Sequence, residues 1–535
     1  MSNPLIGLEG LPPFSKIKPE FVVPALKDGI ANCRKAIDDV LAKNSYTWDD
    51  LVLPLEEADD KLSRLFSPVS HLNSVMNNDE LREAYEQCLP LISEYSTFVG
   101  QHQGLYEAYN ALYNSDEFKT LTTAQQKSIT NALRDFKLSG IALASEDQKR
   151  YGEISARLSE LSSKFGNNVM DATLAWHKHI TDEADLAGLP ESALALAADT
   201  AKSKELDGWV FTLDFPSYLP IMTYADNREL RKETYTAFST RASDQGPNAG
   251  EFDNSEIMKE ALALRHELAQ LLGFKSYAEK SLATKMAETP EQVFSFLEDL
   301  AAKSKPQAEQ EVAELKAYAA QKHGITELEA WDFGYYGEKL KQEKYAISDE
   351  VLRPYFPADK VLSGLFETVN RLFGISVNEV TDFDTYHKDV RFFEIVDSNN
   401  TLRGRFYLDL YARDRKRGGA WMDDCMGRKV RANGELQTPV AYLVCNFNKA
   451  VGDKPALFTH NEVTTLFHEF GHGIHHMLTQ VDAAPVAGIN GVAWDAVELP
   501  SQFLENWCYE EEALSFISGH FETGEPLPKE LLDKL

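Results

Sequence analysis

The stretch TTLFHEFGHGIHHML, residues 464–478, places two histidines and a carboxylate at a spacing that suits metal chemistry. Successive helical residues advance about 100°, so His468 and His472 would project from one face with Cβ atoms roughly 5 to 6 Å apart. Two such imidazoles can chelate one ion. Glu469 would point off the metal axis, where it could take a proton from the water that the ion activates. The pattern predicts one bound Zn²⁺ with Glu469 as general base.

Catalytic zinc takes three protein ligands and leaves one position to water, so a third ligand must come from elsewhere in the chain. The candidate is Glu498 in GVAWDAVELPSQFLENWCYE, which lies 26 positions after His472 and is predicted to lie on a second helix that returns past the first. Two alternatives remain at this point. His476, four positions beyond His472, could replace His468, although Gly473 would then stand where the base belongs. The histidines could also be hydrogen-bonded core residues without a metal.

A ligating histidine normally donates its other ring nitrogen to a carboxylate or carbonyl, which fixes the ring. Asp495 and Glu505 are the candidates for this role, with a helix cap and a surface charge as the respective alternatives. Pro500 predicts that the second helix begins or kinks near Glu498, because proline is tolerated mainly in a first turn. Glycine costs about 1 kcal/mol inside a helix, so Gly471 and Gly473 suggest close packing or ligand approach.

The run ARDRKRGGAW, residues 412–421, contains four cations followed by a glycine pair. Four cations in one loop favour a solvated surface, with an anion site as the alternative. Gly418 and Gly419 permit close approach of another backbone beside a predicted strand. An exposed strand edge at this point could hydrogen-bond a peptide laid alongside it.

The elements that must position these residues are mainly helices. Apolar residues at three- and four-residue spacing predict helices from Lys18 to about Gly273, with short strands or extended turns at 208–224 and an exposed loop at 242–255. After about residue 390 apolar and polar residues alternate, which predicts a small antiparallel sheet next to the HExxH helix. The fold class is therefore mainly α with a small sheet.

Composition limits the ligands and the compartment. The chain carries 54 Lys and Arg against 84 Asp and Glu, a formal net charge of -30, which argues against nucleic-acid and membrane-surface binding. Five scattered cysteines without a CxxC pair favour a reducing compartment without disulfides. The sequence shows neither a signal peptide nor the roughly 18 apolar residues of a membrane span, so we expect a cytoplasmic protein.

The two motif-bearing segments, LFTHNEVTTLFHEFGHGIHHML and WDAVELPSQFLENW, closely resemble the thimet oligopeptidase family, and the resemblance runs from LPPFSKIKPE to the last residue. It implies a zinc endopeptidase of two-domain helical build, with a deep channel that admits short unstructured peptides, and we expect a monomer. By this resemblance the zinc ligands are His468, His472 and Glu498, and the base is Glu469. The segment RGGAW matches the region where family members bind the substrate backbone, which here comprises Gly418, Gly419 and Ala420.

The predicted organisation is an N-terminal helical region at 1–150, a connector at 151–225 and a zinc peptidase region at 226–535. Members of the family continue beyond the point that corresponds to Leu535. We therefore expect a catalytic region that is incomplete at the C-terminus, without the family's later segment rich in Gly and Tyr. Two other hypotheses follow: a weakly active or inactive zinc-containing remnant that binds peptides, and a zinc hydrolase of small non-peptide amides.

Overall fold

A computed structural model describes residues 2–535 and is mainly helical, as predicted. The α-helices are α1 (Pro19–Lys43), α2 (Leu53–Val75), α3 (Asp79–Gly100), α4 (Gln103–Tyr113), α5 (Thr123–Leu138), α6 (Ser145–Leu174), α7 (Glu191–Ser203), α8 (Phe215–Tyr224), α9 (Arg228–Ser239), α10 (Ser255–Leu271), α11 (Tyr277–Leu282), α12 (Pro290–His323), α13 (Phe333–Tyr345), α14 (Asp349–Leu352), α15 (Ala358–Phe373), α16 (His460–Met477), α17 (Leu499–Glu505), α18 (Glu511–Ile517) and α19 (Lys529–Leu532). Short 3₁₀ turns occupy Phe14–Lys16, Glu117–Thr120, Glu183–Leu186, Arg353–Tyr355, Ala484–Val486 and Asn506–Cys508, and a π-helical turn occupies Trp48–Val52.

The strands form one five-stranded sheet and two two-stranded sheets. They are β1 (His177–Ile180), β2 (Trp209–Thr212), β3 (Ser376–Val380), β4 (Arg391–Val396), β5 (Leu402–Tyr411), β6 (Trp421–Met426), β7 (Lys429–Val430), β8 (Leu436–Gln437) and β9 (Val440–Phe447). The large sheet has the order β3-β4-β5-β9-β6, and β6 forms one of its edges. The expectation of a purely antiparallel sheet is wrong in one respect, because β5 and β9 run parallel and the sheet is mixed.

Both faces of the central strands are buried, which explains why β9 is apolar at every position except Asn446. On β5, Phe406 faces the core formed with α15, α16 and α18, while its neighbour Tyr407 faces the core formed with α1, α2 and α3. On β9, Leu443 and Tyr442 divide in the same way. Side chains alternate along a strand, so the sheet separates the helix that carries the HExxH motif from the N-terminal helices. The proposed domain boundaries at 150 and 225 stay a prediction.

The structure corrects one local prediction in the connector. Trp209–Thr212 is a strand, paired with His177–Ile180, but Phe215–Tyr224 is helix α8 and not an extended segment. The helix accepts Pro216 because a proline in the first turn has no intrahelical N–H bond to lose. The aromatic residues and Pro216 are thus compatible with a short apolar helix, which also contains Pro220 in its interior. The loop predicted at 242–255 is irregular as far as Asn254, before α10 begins.

The five cysteines are all buried and free. Within residues 2–535, the structure contains no helix with both the length and the apolar character needed to cross a bilayer.

Candidate active site

Helix α16 carries the HExxH residues and has a well-defined start. Thr459 Oγ1 accepts a hydrogen bond from the backbone N–H of Glu462 at 3.1 Å, and Glu462 Oε1 accepts one from the N–H of Thr459 at 2.9 Å. This reciprocal capping box sets where the helix begins. The apolar face, including Phe467 and Phe470, packs into the core beneath the sheet. The rotation of the helix is thereby set, and the opposite face presents the histidines.

The close contact between α16 and α17 brings the third candidate ligand to the histidines. A Cβ atom added to Gly471 would lie 2.6 Å from the carbonyl oxygen of Pro500 and 2.6 Å from the Cα of Ser501. The two helices therefore touch backbone to backbone, and only glycine leaves the room. Pro500 lies in the first turn of α17, as predicted, but Glu498 precedes that helix at its N-cap position and does not lie within it.

Three side chains converge on one point. Nε2 of His468 and Nε2 of His472 lie 3.0 and 3.1 Å from the same oxygen, Oε2 of Glu498. One ligand atom from each residue falls within 4.8 Å of the other two. The imidazole rings stand at 81° to each other with centroids 5.1 Å apart, so their Nε2 atoms approach this point from different directions.

Glu505 holds one of the histidines, as a second-layer carboxylate would. Its Oε2 lies 3.1 Å from Nδ1 of His468, on the far side of the ring from Glu498. A proton on Nδ1 donated to Glu505 leaves Nε2 as a free lone pair. The corresponding Nδ1 of His472 is buried without a hydrogen-bond partner.

Asp495 does not reach either imidazole. Its two oxygens accept hydrogen bonds from the backbone N–H groups of Met286 and Ala287, at 3.0 and 2.9 Å. The carboxylate binds the segment that precedes α12, whose N-cap is Thr289, so Asp495 is not a helix cap either. It thereby ties the loop before Glu498 to a distant part of the chain.

The electrostatic environment shifts the pKa values of the two carboxylates of the site in opposite directions. Burial raises the pKa of Glu469 to about 7, with His468 opposing the rise and Glu498 adding to it. Partial burial would also raise the pKa of Glu498, but the hydrogen bond from Ser501 and the two imidazoles outweigh it and hold that pKa below its usual value. Burial lowers the pKa of His472, against the pull of Glu498. Glu498 is thus the anionic member of the candidate ligand set, while Glu469 can exchange a proton near neutral pH.

Ser501 was not anticipated from the sequence. Its hydroxyl donates to Glu498, with Oγ 2.6 Å from Oε2 and 2.9 Å from the backbone carbonyl oxygen. A serine three residues after a candidate ligand, just past a helix-starting proline, is the signal that could have indicated it. It restrains the carboxylate independently of the histidines.

The glycine segment lies where the strand prediction placed it. Residues 418–420 lead directly into the edge strand β6, and Gly419 has a φ of +91°, a conformation that favours glycine. Asn446 on β9 donates from Nδ2 to the carbonyl oxygens of Arg417 and Gly419, at 2.9 and 2.6 Å, and so holds the segment against the sheet. Asn446 is a second residue that the sequence did not reveal.

The prediction of a solvated cationic surface at 412–421 is wrong for two of its four cations. Lys416 has a fully buried side chain, with Nζ 2.9 Å from Oδ1 of Asp409 and 2.7 Å from the carbonyl oxygen of Tyr411. Arg413 makes two hydrogen bonds to the same carboxylate, at 2.8 and 2.7 Å. A single buried aspartate therefore turns this loop inward, which the spacing of the charges does not show.

Comparison with known proteins identifies families and relatives that this chain resembles. The profile described as Peptidase family M3 matches residues 221–535, and the one described as Neurolysin/Thimet oligopeptidase, N-terminal domain, matches residues 26–149. The chain is 65% identical over its whole length to proteins named Oligopeptidase A from Haemophilus influenzae and Escherichia coli, covering 79% of each. It is 31% identical to the Dipeptidyl carboxypeptidase of Escherichia coli, over 98% of this chain and 76% of that protein.

Among solved structures, a putative oligoendopeptidase F from Bacillus anthracis str. Ames superposes with a TM-score of 0.54 at 17% identity, over 96% of this chain and 73% of that one. A structure titled PZ peptidase A with inhibitor 2 gives a TM-score of 0.53 at 15% identity, over 97% and 72%. At these identities the likeness concerns the fold alone.

Proposed function

This chain belongs to peptidase family M3, and from that premise we propose that it is a zinc-dependent endopeptidase that hydrolyses short, unstructured oligopeptides. The observation that supports the proposal most directly is the convergence of His468, His472 and Glu498, whose ligand atoms lie within 4.8 Å of one another. The names of the relatives, Oligopeptidase A, agree with a peptide substrate.

The donor set fits one Zn²⁺ ion. Two imidazole nitrogens and one carboxylate oxygen are the ligands of a catalytic zinc site with an open fourth position. Glu505 leaves Nε2 of His468 unprotonated, and the lowered pKa of His472 favours its neutral, ligating form. Ser501 holds the carboxylate of Glu498 in place.

Zinc and Glu469 would have different roles in the reaction. When bound, Zn²⁺ would lower the pKa of a water molecule and polarise the carbonyl of the scissile peptide bond. Oε1 of Glu469 lies 4.0 Å from Nε2 of His468, beside the ligands but not among them. Its pKa of about 7 lets it accept a proton from the attacking water and pass it to the departing amine.

The substrate backbone is proposed to lie along the edge strand. Gly418, Gly419 and Ala420 would take an extended peptide by β-strand addition, because backbone hydrogen bonding at an edge does not depend on side-chain identity. The farther part of β6 is already engaged, since the carbonyl oxygen of Asp424 accepts from Oγ of Ser67 at 3.2 Å. The deep channel, the three-part organisation, a monomeric state and a cytoplasmic location belong to the same proposal.

Replacing Glu469 with Gln tests the mechanism. We expect the variant to retain zinc, since no ligand is changed, and to lose roughly 10² to 10⁴ in kcat on a quenched peptide, the usual contribution of a general base. Metal content would be measured beside turnover. The control is Glu522→Gln, an equal loss of charge at an exposed position away from the site.

Each outcome selects between the hypotheses. Unchanged turnover by Glu469→Gln would remove the proposed base. A wild-type chain that binds zinc and peptide without hydrolysis would be the peptide-binding alternative. Hydrolysis that is independent of peptide length would indicate a hydrolase of small amides.

A further inference from the structure

His476 lies on α16 one turn beyond His472 and is completely buried. The proposed reaction does not use it. Its ring stands between three parts of the structure: the metal-binding helix, the edge strand β6, and the loop that leads to Glu498.

The contacts of the ring are directional. Its Nε2 donates to the carbonyl oxygen of Met426 at 3.0 Å and lies 3.1 Å from Oδ1 of Asp424, both on β6. On the other side, Nδ1 accepts a hydrogen bond from the backbone N–H of Ile489 at 3.3 Å. With its proton on Nε2 the ring donates to Met426 and accepts from Ile489, and Oδ1 of Asp424, which has no hydrogen bond of its own, lies beside the same nitrogen. The ring therefore connects the strand to the loop through the helix.

Asp424 makes a second contact between β6 and the loop. Its second oxygen, Oδ2, accepts from Nδ2 of Asn490 at 3.1 Å, one residue beyond the contact to Ile489. The loop therefore touches the histidine and its aspartate neighbour at consecutive positions.

The loop before Glu498 packs so closely against α16 at Gly488 that a larger residue would not fit there. Gly488 has a φ of +62°, and a Cβ added there would lie 2.6 Å from Nδ1 and 3.0 Å from the Cα of His476. This close approach sets where the chain begins its path toward Glu498, while Asp495 and Ser501 restrain the later part of that path.

We infer that His476 is a positioning residue that sets the metal-binding residues and the peptide-binding edge relative to each other. The inference rests on the proposed function and deepens it, because it connects the two parts of one site. Metal-ligand distances tolerate only about 0.2 Å, so loosening the loop should weaken the hold of Glu498 on the ion. Displacing the bound peptide bond relative to the ion should lower kcat more than it raises KM, because misplacement is felt mainly in the transition state.

The test compares His476→Leu, which removes both hydrogen-bonding nitrogens, with His476→Gln, whose amide can still donate and accept. Zinc affinity would be measured by chelator competition, ligand geometry by the visible spectrum of the Co²⁺-substituted protein, and kcat and KM at saturating zinc. For His476→Leu we expect a zinc Kd raised about 10-fold, at the lower end of the range for residues that orient ligands. We also expect a shifted Co²⁺ spectrum and a fall in kcat with KM changed less than twofold, and His476→Gln should recover most of each effect.

A matched pair on β6 supplies the second measurement. Asp424→Ala removes the contacts to His476 and Asn490, whereas Asp423→Asn removes a charge from the adjacent residue but keeps the oxygen that accepts from the N–H of Asp424 at 2.9 Å. Only Asp424→Ala should raise the zinc Kd. If His476→Leu does not fold, as judged by circular dichroism, this pair decides the question.

The inference is overturned if folded His476→Leu matches the wild type in zinc Kd, Co²⁺ spectrum and kcat, or if the two aspartate variants bind zinc equally well. Failure of the proposed function has a different signature, since the wild-type chain itself would then bind no zinc or would bind it without hydrolysing peptides.

Discussion

Gly471→Ala tests the backbone contact on which the site depends. The added Cβ would stand 2.6 Å from the carbonyl oxygen of Pro500 and from the Cα of Ser501, about 0.8 Å inside the shortest ordinary contact of 3.4 Å. Both obstructing atoms belong to backbone and cannot swing aside. The start of α17 must move by a similar distance, and Glu498 moves with it because its carboxylate and carbonyl are bonded to Ser501.

The expected loss is large because zinc ligation is geometrically strict. A displacement of about 0.8 Å is roughly four times the 0.2 Å that metal-ligand distances tolerate. We expect the zinc Kd to rise at least about 100-fold, the upper end of the effect of disturbing a ligand's support. Chelator competition gives the Kd, and circular dichroism shows whether the helices are retained.

Gly473→Ala is the matched control, two residues along the same helix. Its added Cβ would meet Cε of Met477 at 3.2 Å and Cδ2 of Leu443 at 3.3 Å, which are ends of flexible side chains that can move by the few tenths of an ångström required. Both substitutions gain about 1 kcal/mol of helix propensity, so a difference between them reports the contact alone. Equal zinc affinity in the two variants would refute the proposed role of the α16–α17 contact.

Two further predictions concern charged groups. Glu505→Ala should raise the zinc Kd about 10- to 100-fold, because it removes the acceptor for Nδ1 of His468. Glu505→Gln keeps an oxygen acceptor and should raise the zinc Kd less. Equal effects of the two substitutions in chelator competition would contradict an orienting role. Burial raises the pKa of Glu56 from 4.5 to about 7, against the pull of Lys429, so the stability contributed by its neutral form is complete below pH 4.5 and is lost as pH rises through 7. Glu56→Gln should therefore raise the free energy of unfolding at pH 8 by up to about 3 kcal/mol and change it little at pH 5, which thermal unfolding at the two pH values measures; the same difference at both would oppose this assignment.

Local sequence patterns were sufficient for most of the fold. Helical periodicity predicted a mainly α chain, and alternation after residue 390 predicted the sheet, because each pattern reflects which side chains one element must bury. The same patterns failed at Phe215–Tyr224, where aromatic residues and prolines are compatible with either state and packing decides. They also could not show that β5 and β9 run parallel, since pairing between distant strands leaves no local periodicity.

For the candidate site, the sequence by itself indicated which residues could ligate an ion and where a base would stand, because His468, Glu469 and His472 are related by helix geometry alone. The proximity of Glu498 to these residues could not be predicted from local spacing. Glu498 lies 26 positions after His472, and its location depends on how α17 packs against Gly471. Glu505 and Asp495 looked equivalent in sequence, yet only Glu505 lies beside a histidine, while Asp495 bonds to residues more than 200 positions earlier. Residue spacing determines which side chains are neighbours along one helix. Contacts between separate elements depend on how the whole core packs, so only the tertiary structure decides them.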